Sequence, residues 1–167
     1  YKPRMQRIFA KERAPLTPTG ITIVRGTPDD IGDIVRFQVD MAKETEDYAL
    51  DPATVDSGVR RMFDEPGRGF YLLAKNGAET VGGLLVLKEW SDWRNADVWW
   101  IHSLYVVPGH RRRGVFRRLM AEVERRAREA GCAGIRLYVE RGNDTAQTVY
   151  AALGMSKEHY ELYEKMF

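Results

Sequence analysis

The dipeptide Asn76-Gly77 stands between two apolar runs and constrains the fold more than any other part of the sequence. The runs are FYLLA at 70–74 and VGGLLVL at 81–87. Asn-Gly is the strongest short hairpin signal, because both residues tolerate the positive φ angles that tight hairpin turns require. We therefore predict that the two runs are antiparallel neighbouring strands. A long strand over 98–107, closed by Pro108, extends them to a three-stranded meander.

Apolar spacing predicts further elements before and after this meander. Residues 21–25 are typical of a short strand, followed by one helix that runs through Met41 and another that begins at Asp51-Pro52. After the meander, helical spacing extends over 113–130, and a buried strand follows over 135–139. Helices therefore precede and follow the meander in the chain.

The C-terminal region predicts a helix over 143–153 and a final strand from Lys157. The full order is β-α-α-β-β-β-α-β-α-β, which indicates an α/β (α+β) domain with a mixed, mainly antiparallel sheet and a right-handed crossover. We expect residues 1–20, which are basic and contain Pro and Thr, to form an N-terminal extension. Residues 21–167 then form the single domain.

Bulk composition excludes several classes of protein. The 26 basic and 24 acidic residues leave a net charge of +2, so no overall field draws the chain to nucleic acid or membrane. No apolar run approaches the roughly 18 residues that cross a bilayer, and Cys132, the single cysteine, cannot form an internal disulfide. We expect a cytoplasmic protein whose attraction for anions is local.

The stretch VVPGHRRRGVF at 106–116 places three consecutive arginines where a strand gives way to a helix. A glycine at a helix start lets the backbone approach a ligand, and the unpaired helix N–H groups and the helix dipole attract phosphate. Neighbouring arginines add charge-assisted bonds to the same anion. The run predicts a polyphosphate site, and the alternative is a solvated loop balanced by acidic residues of the following helix.

Two motifs resemble the signatures of the GCN5-related N-acetyltransferase (GNAT) family. The first, Arg/Gln-x-x-Gly-x-Gly/Ala, matches Arg111 and Gly114, with Phe116 in place of a small residue. The second, Asn-x-x-Ala-x-x-x-Tyr-x-x-x-Gly-Phe, matches Asn143, Ala146, Tyr150 and Gly154, with Met155 in the Phe position. The resemblance covers about residues 21–167 and implies a central sheet of six to seven strands flanked by about four helices.

The resemblance implies acetyl-CoA as cosubstrate and no metal. Acetyl-CoA would lie between the strands at 98–107 and 135–139, its pantetheine arm on the backbone of 104–106 and its pyrophosphate on the amides of 111–116. The implied cofactor-binding residues are Leu104, Tyr105, Val106, Arg111, Arg112, Arg113, Gly114, Val115, Phe116 and Asn143. The amide of Phe116 stays available if its ring points into the core, as the apolar helix face favours.

Acyl transfer to an amine requires two proton transfers. Tyr150 occupies the family position of the general acid, and a phenol with a pKa of about 10 suits a departing thiolate; its alternative role is packing beside Leu153. His102, in mid-strand, is a candidate general base, although it also fits a packing role. Glu46 and Glu44, between the first two helices, are alternative candidates for the base or for binding a cationic amine. They also fit ordinary solvated charges. Glu140 is a weaker candidate.

Aromatic residues cluster around one hairpin connection of the predicted sheet, the one that leads into the strand at 98–107. Alternation places Trp99 and Trp100 on opposite faces, so at least one belongs to the core. With Trp90 and Trp93 they form either a wall for the acceptor or the sealed end of a hairpin. Tyr160 and Tyr163 in the last strand either border the acceptor site or cover the sheet.

Three functions are consistent with these observations. The first is an acetyl-CoA-dependent N-acetyltransferase acting on a primary amine of a small molecule or peptide, with a homodimer suggested by analogy. The alternative is a non-catalytic acetyl-CoA or CoA sensor or interaction domain. A nucleic-acid module is disfavoured, because Glu122, Glu124 and Glu129 are interspersed among the arginines of the helix.

Overall fold

The computed structural model describes residues 20–158 and 161–167. The predicted extension 1–20 therefore lies outside the described residues, apart from Gly20, and so does Tyr160. The chain divides into two compact units, one ending at Arg136 and one beginning at Leu137. No helix within the described ranges is long and apolar enough to cross a membrane.

Five strands and four helices occupy the described residues. The strands are β1 Ile21–Arg25, β2 Gly69–Asn76, β3 Glu79–Ser91, β4 Ala96–Val106 and β5 Gly134–Leu137. The helices are α1 Ile31–Glu46, α2 Pro52–Asp64, α3 Val115–Glu129 and, in the second unit, α4 Asp144–Ala152. The sheet order is β1-β2-β3-β4-β5, with β1 to β4 pairing antiparallel. The predicted fold class and meander are confirmed.

The predicted hairpin forms one residue later than the Asn-Gly signal suggests. Asn76 pairs with Glu79 at the end of the β2–β3 ladder. The two turn residues are therefore Gly77 and Ala78, and Gly77 has a φ of 60°. This arrangement matches a turn that places glycine first, where an L-residue would be strained.

Helices cover both faces of the sheet in the first unit. Tyr71, Leu73 and Leu85 lie on one face and form a core with residues of α1 and α2. On the other face, Leu72 and Val86 are fully buried, and α3 packs across β1 to β4. Burial on both faces explains why β2 is an almost continuous apolar run rather than an alternating one.

Three predictions about helices and strands are wrong. The first helix runs beyond Met41 to Glu46, so Glu44 and Glu46 lie on its last turn and not in a connection. The strand predicted over 135–139 is shorter and only half-buried. The final strand predicted from Lys157 is absent from 155–158 and 161–167. That tail is exposed, with Tyr163 89% accessible, and a strand forms only where it finds a partner. The described sheet therefore has five strands instead of six to seven.

We predict that Gly69→Ala destabilises the fold strongly. A Cβ at Gly69 would clash with the carbonyl oxygen of Val86, which belongs to the paired strand and cannot move away alone. Overpacking of this kind costs roughly 1–3 kcal/mol, occasionally more. The measurement is the urea midpoint of unfolding.

Gly58→Ala in α2 is the matched control, because a Cβ there meets nothing within 4 Å. It should raise the midpoint slightly, since Ala exceeds Gly in helix propensity by about 0.8–1 kcal/mol. A Gly69→Ala midpoint equal to that of the wild type would contradict the close strand approach.

Candidate active site

A β-bulge interrupts β4 at the start of the stretch 104–106, which was predicted to bind the pantetheine arm. Leu85 pairs with His102 and Gly83 with Tyr105. Ser103 and Leu104 therefore lie opposite Leu84 alone, and Ser103 has a φ of 52°. Because a bulge takes one residue out of the ladder, it exposes main-chain polar groups beside Leu104.

The bulge also decides which side chains share a face. Partners across a ladder lie on the same face, so His102 and Tyr105 both lie on the α1–α2 face, with Leu85 and Gly83. The ring centroid of Tyr105 lies 5.5 Å from the ring centroid of Phe37 in α1. Burial lowers the pKa of His102 below its ordinary value, so its imidazole is neutral at pH 7.

The loop after β4 presents amide groups at the start of α3. Arg112 and Gly114 both have positive φ angles, 61° and 79°. Gly114 is the N-cap of α3, and the first helical bond runs from the Arg118 N–H to its carbonyl at 3.1 Å. The amides of residues 115–117 consequently have no acceptor within the helix. Nothing lies within 4 Å of the position of a Cβ on Gly114, so the loop is open at this point.

The side chain of Arg111 is held by the protein itself. It donates two bonds to Glu44, at 2.5 and 2.7 Å, and its Nε donates to the Val106 carbonyl at 2.8 Å. Its own amide donates to the Pro108 carbonyl at 3.2 Å. Arg111 thus links α1 to the end of β4. Its guanidinium lowers the pKa of Glu44, which keeps that carboxylate ionised.

Most other arginines of this region are of two kinds. Each arginine of the first kind forms an ion pair with a glutamate of α3: Arg125 with Glu122 and Glu129, Arg126 with Glu122, and Arg128 with Glu124. Arg112, Arg113 and Arg117 are exposed and form no ion pair within the described part of the chain. Uncompensated positive charge is therefore concentrated around the open amides at the α3 N-terminus, where phosphate binding is favoured.

The remaining first-unit candidates have different surroundings. Val115 is buried in the core, while Phe116 is partly buried. Glu46 is exposed on the last turn of α1 and has no ion pair with any described residue. Trp99 packs edge-on against Phe70, with ring centroids 5.1 Å apart.

The aromatic cluster separates as alternation predicts. Trp99 is 5% accessible, whereas Trp100 lies on the opposite face and is partly exposed. Trp90 and Trp93 are 61% and 87% accessible. Trp93 therefore does not seal the hairpin end.

In the second unit, Asn143 and Tyr150 occupy opposite ends of α4. The Asn143 side-chain oxygen accepts the Ala146 N–H at 3.0 Å and caps the helix. Tyr150 is partly buried, and burial raises its pKa above the ordinary value for tyrosine. The phenol therefore keeps its proton at neutral pH. Glu140 is exposed just before this helix.

Other features of the described residues do not coincide with this region. A small depression beside α2 is lined by residues such as Met62, Phe63 and Tyr71, none of them a predicted site residue. Within the described ranges, no three His, Cys, Asp or Glu side chains are grouped to hold a metal ion. The bulge of β4 and the start of α3 are thus the best-supported site.

Comparison with known proteins decides the family. The family model described as the acetyltransferase (GNAT) family matches residues 36–155. The chain belongs to the GNAT family. The matched range includes the bulge, the α3 N-terminus and the whole of the second motif, and the predicted family is confirmed.

Two relatives support this membership. An N-acetyltransferase of Archaeoglobus fulgidus, itself uncharacterised, is 31% identical over 137 residues, which cover 78% of this chain and 89% of the relative. The crystal structure of a possible acetyltransferase from Clostridium difficile 630 is 33% identical with a TM-score of 0.83, covering 88% of this chain and 97% of that one. Both are similar to this GNAT protein over most of their length.

A third comparison bears on the fold alone. The ribosomal-protein-alanine N-acetyltransferase of Brucella melitensis biovar Abortus 2308 has a TM-score of 0.70 at 14% identity, covering 88% of this chain and 99% of that one. At that identity the likeness shows a shared GNAT fold and carries no information on the acceptor.

Proposed function

We propose that residues 21–167 form an acetyl-CoA-dependent N-acetyltransferase domain that acts on a primary amine of a small molecule or peptide. The open start of α3 at Gly114, surrounded by the exposed Arg112, Arg113 and Arg117, is the observation that carries this proposal. A diphosphate needs hydrogen-bond donors and positive charge without a competing carboxylate. The only arginine of the run that is paired with a glutamate is Arg111, among the residues described.

Acetyl-CoA supplies an acetyl thioester, which an amine can attack directly. In this proposal, the main chain at 104–106 binds the pantetheine arm, because the bulge at Ser103 exposes its polar groups. A main-chain N–H beside the bulge would stabilise the oxyanion that develops on the thioester carbonyl. Arg111 acts as a positioning residue for this strand end, through its bond to the Val106 carbonyl.

The acceptor amine must lose a proton before or during the attack. Two features favour His102 as the general base. It lies two residues before Leu104, and burial lowers its pKa and keeps its imidazole neutral. Glu44 is unsuited to this role, since both its oxygens bond Arg111. Glu46 is exposed and stays the alternative base, acting through water.

Tyr150 is proposed as the acid that protonates the departing thiolate. Its place in the second motif assigns the role, and its raised pKa supports it, because the phenol is fully protonated at neutral pH. Asn143 would contact the cofactor arm through its amide nitrogen, since its oxygen caps α4.

The test combines calorimetry with a thiol-release assay. We expect CoA and acetyl-CoA to bind at low ionic strength and a panel of amines to release free CoA from acetyl-CoA. The absence of any binding to well-folded protein would contradict the proposal. Binding without turnover of any amine would favour the non-catalytic CoA-binding alternative.

A prediction on pH dependence follows from the environment of His102. Because burial lowers its pKa, the base form persists as the pH falls, and activity should decline only below the ordinary value of 6.5. We expect the acidic limb of kcat/KM to have its midpoint below that value. His102→Gln should remove the limb, and His110→Gln should retain it. An unchanged limb in His102→Gln would assign the base elsewhere.

A further inference from the structure

Three side chains form a cluster at the outer part of β3, β4 and β5, which we name the Arg136 cluster: Glu89, Trp100 and Arg136. The Trp100 Nε1–H donates to Glu89 Oε2 at 2.7 Å, and Arg136 Nη1 donates to Glu89 Oε1 at 3.0 Å. The guanidinium of Arg136 lies over the Trp100 ring, 5.6 Å from its centroid. Sequence reasoning missed Glu89 and Arg136, because they are 47 residues apart.

The Arg136 cluster continues the face that carries the proposed base. Trp100 pairs with Leu87 and His102 with Leu85, so both side chains lie on the α1–α2 face. Their ring centroids are 6.3 Å apart. The side chains of Arg136 and Glu89 are 40% and 46% accessible. A molecule that reaches His102 along this face can therefore also contact Arg136.

Charge and hydrogen bonding in the cluster favour one kind of ligand. Both oxygens of Glu89 already accept a bond, and Arg136 lies over one face of the Trp100 ring. A cationic group would therefore compete with Arg136 for the carboxylate and for that face of the ring. Arg136 bonds through one nitrogen only, among the residues described. A guanidinium has five N–H donors, so an edge suited to a carboxylate is left.

The guanidinium is also held in position before any ligand arrives. Glu89 accepts a bond from its Nη1, and the Trp100 ring lies against it, so two neighbours restrict its movement. A side chain restrained in this way loses little further freedom on binding, and paired N–H groups bind a carboxylate with two parallel bonds. The cluster therefore has the properties of a preformed carboxylate site rather than of a flexible surface arginine.

We infer that Arg136 binds a carboxylate of the acceptor, so that the acceptors are amines that also carry a carboxylate, such as amino acids or peptides. This inference rests on the proposed function. Arg136 is then a specificity-determining residue, and Glu89 and Trp100 position it.

The test compares each amino acid with its amide, for example leucine with leucinamide, which keeps the shape and removes the negative charge. Hydrogen bonds to charged groups contribute about 1.5–3 kcal/mol, so wild-type kcat/KM should favour the acid by roughly 10- to 100-fold. Arg136→Gln should abolish this preference by lowering activity on the acid alone. Arg136→Lys should retain part of it, because the charge persists without the two-bond geometry.

Arg128→Gln is the matched control, because Arg128 also pairs with one glutamate, Glu124, but lies on α3. It should keep the wild-type preference. Equal activity on acid and amide in the wild type, or an equal loss of both in Arg136→Gln, would overturn the inference.

A second readout does not depend on turnover. Binding of N-acetyl-leucine and N-acetyl-leucinamide can be compared by ligand-observed NMR on the wild type and on Arg136→Gln. The acid should bind more tightly to the wild type alone. If no amine is acetylated but this difference is found, the proposed function fails and the carboxylate site stands. If amines are acetylated and the difference is absent in both readouts, only the carboxylate site fails.

Discussion

Tyr150→Phe is expected to lower kcat by roughly 10²- to 10⁴-fold, the usual contribution of a general acid. The substitution removes the phenol hydroxyl, whose proton would neutralise the departing thiolate, and keeps the ring, so the KM for acetyl-CoA should change little. Burial raises the pKa of Tyr150, and the wild-type enzyme therefore has this proton available throughout the neutral range. Thiol release under saturating acetyl-CoA measures the effect.

The control for this experiment is Tyr163→Phe, because Tyr163 lies in the same unit and is 89% accessible. It should leave kcat and stability unchanged. If Tyr150 only packs against its neighbours, its replacement by Phe will change the thermal midpoint more than kcat. A kcat within twofold of the wild type, with acetyl-CoA still bound, would exclude Tyr150 as the acid.

The second large effect is expected from Gly114→Asp, which should weaken CoA binding by at least about tenfold. The φ of 79° at this position is tolerated by Asp and Asn better than by other non-glycine residues. A new carboxylate would lie beside the open amides of α3 and repel the pyrophosphate. Like charges 4 Å apart cost about 1 kcal/mol in water and about 4 kcal/mol near a protein surface.

Gly114→Asn separates charge from backbone strain in this prediction. Asn has nearly the same shape as Asp and tolerates the left-handed conformation equally well. The ratio of the CoA dissociation constants of the two variants therefore measures the electrostatic part of the loss in affinity. The ratio should shrink as salt rises, because screening shortens the range of the repulsion. Equal dissociation constants for the two variants would mean that the phosphates bind elsewhere.

The arginine run illustrates how far a local pattern can be interpreted. The sequence predicted either a polyphosphate site or a solvated loop at 111–113, and Arg112 and Arg113 are exposed without acidic partners in the described chain. Arg111 differs, because Glu44 lies 67 residues away in sequence and yet bonds it at two nitrogens. Spacing within a motif carries no information on such a long-range partner.

A strand could be predicted correctly where the strand that pairs with it could also be identified in the sequence. The hairpin at Asn76-Gly77 was predictable because its two strands are adjacent in sequence and a turn links them. The tail after Lys157 has strand-like residues, but whether it pairs depends on an edge elsewhere. It forms no strand over 155–158 and 161–167.

The sequence by itself determined the order of the elements as far as α4, the antiparallel meander and the two motifs, because periodicity, turn residues and capping act over a few neighbours. It also placed Trp99 and Trp100 on opposite faces, through simple alternation. Only the tertiary structure decided that His102 and Tyr105 share a face. They are three residues apart, so alternation would separate them, and the extra residue of the bulge at Ser103 brings them together. The pairing register that creates this bulge is a property of two strands and cannot be found in either one.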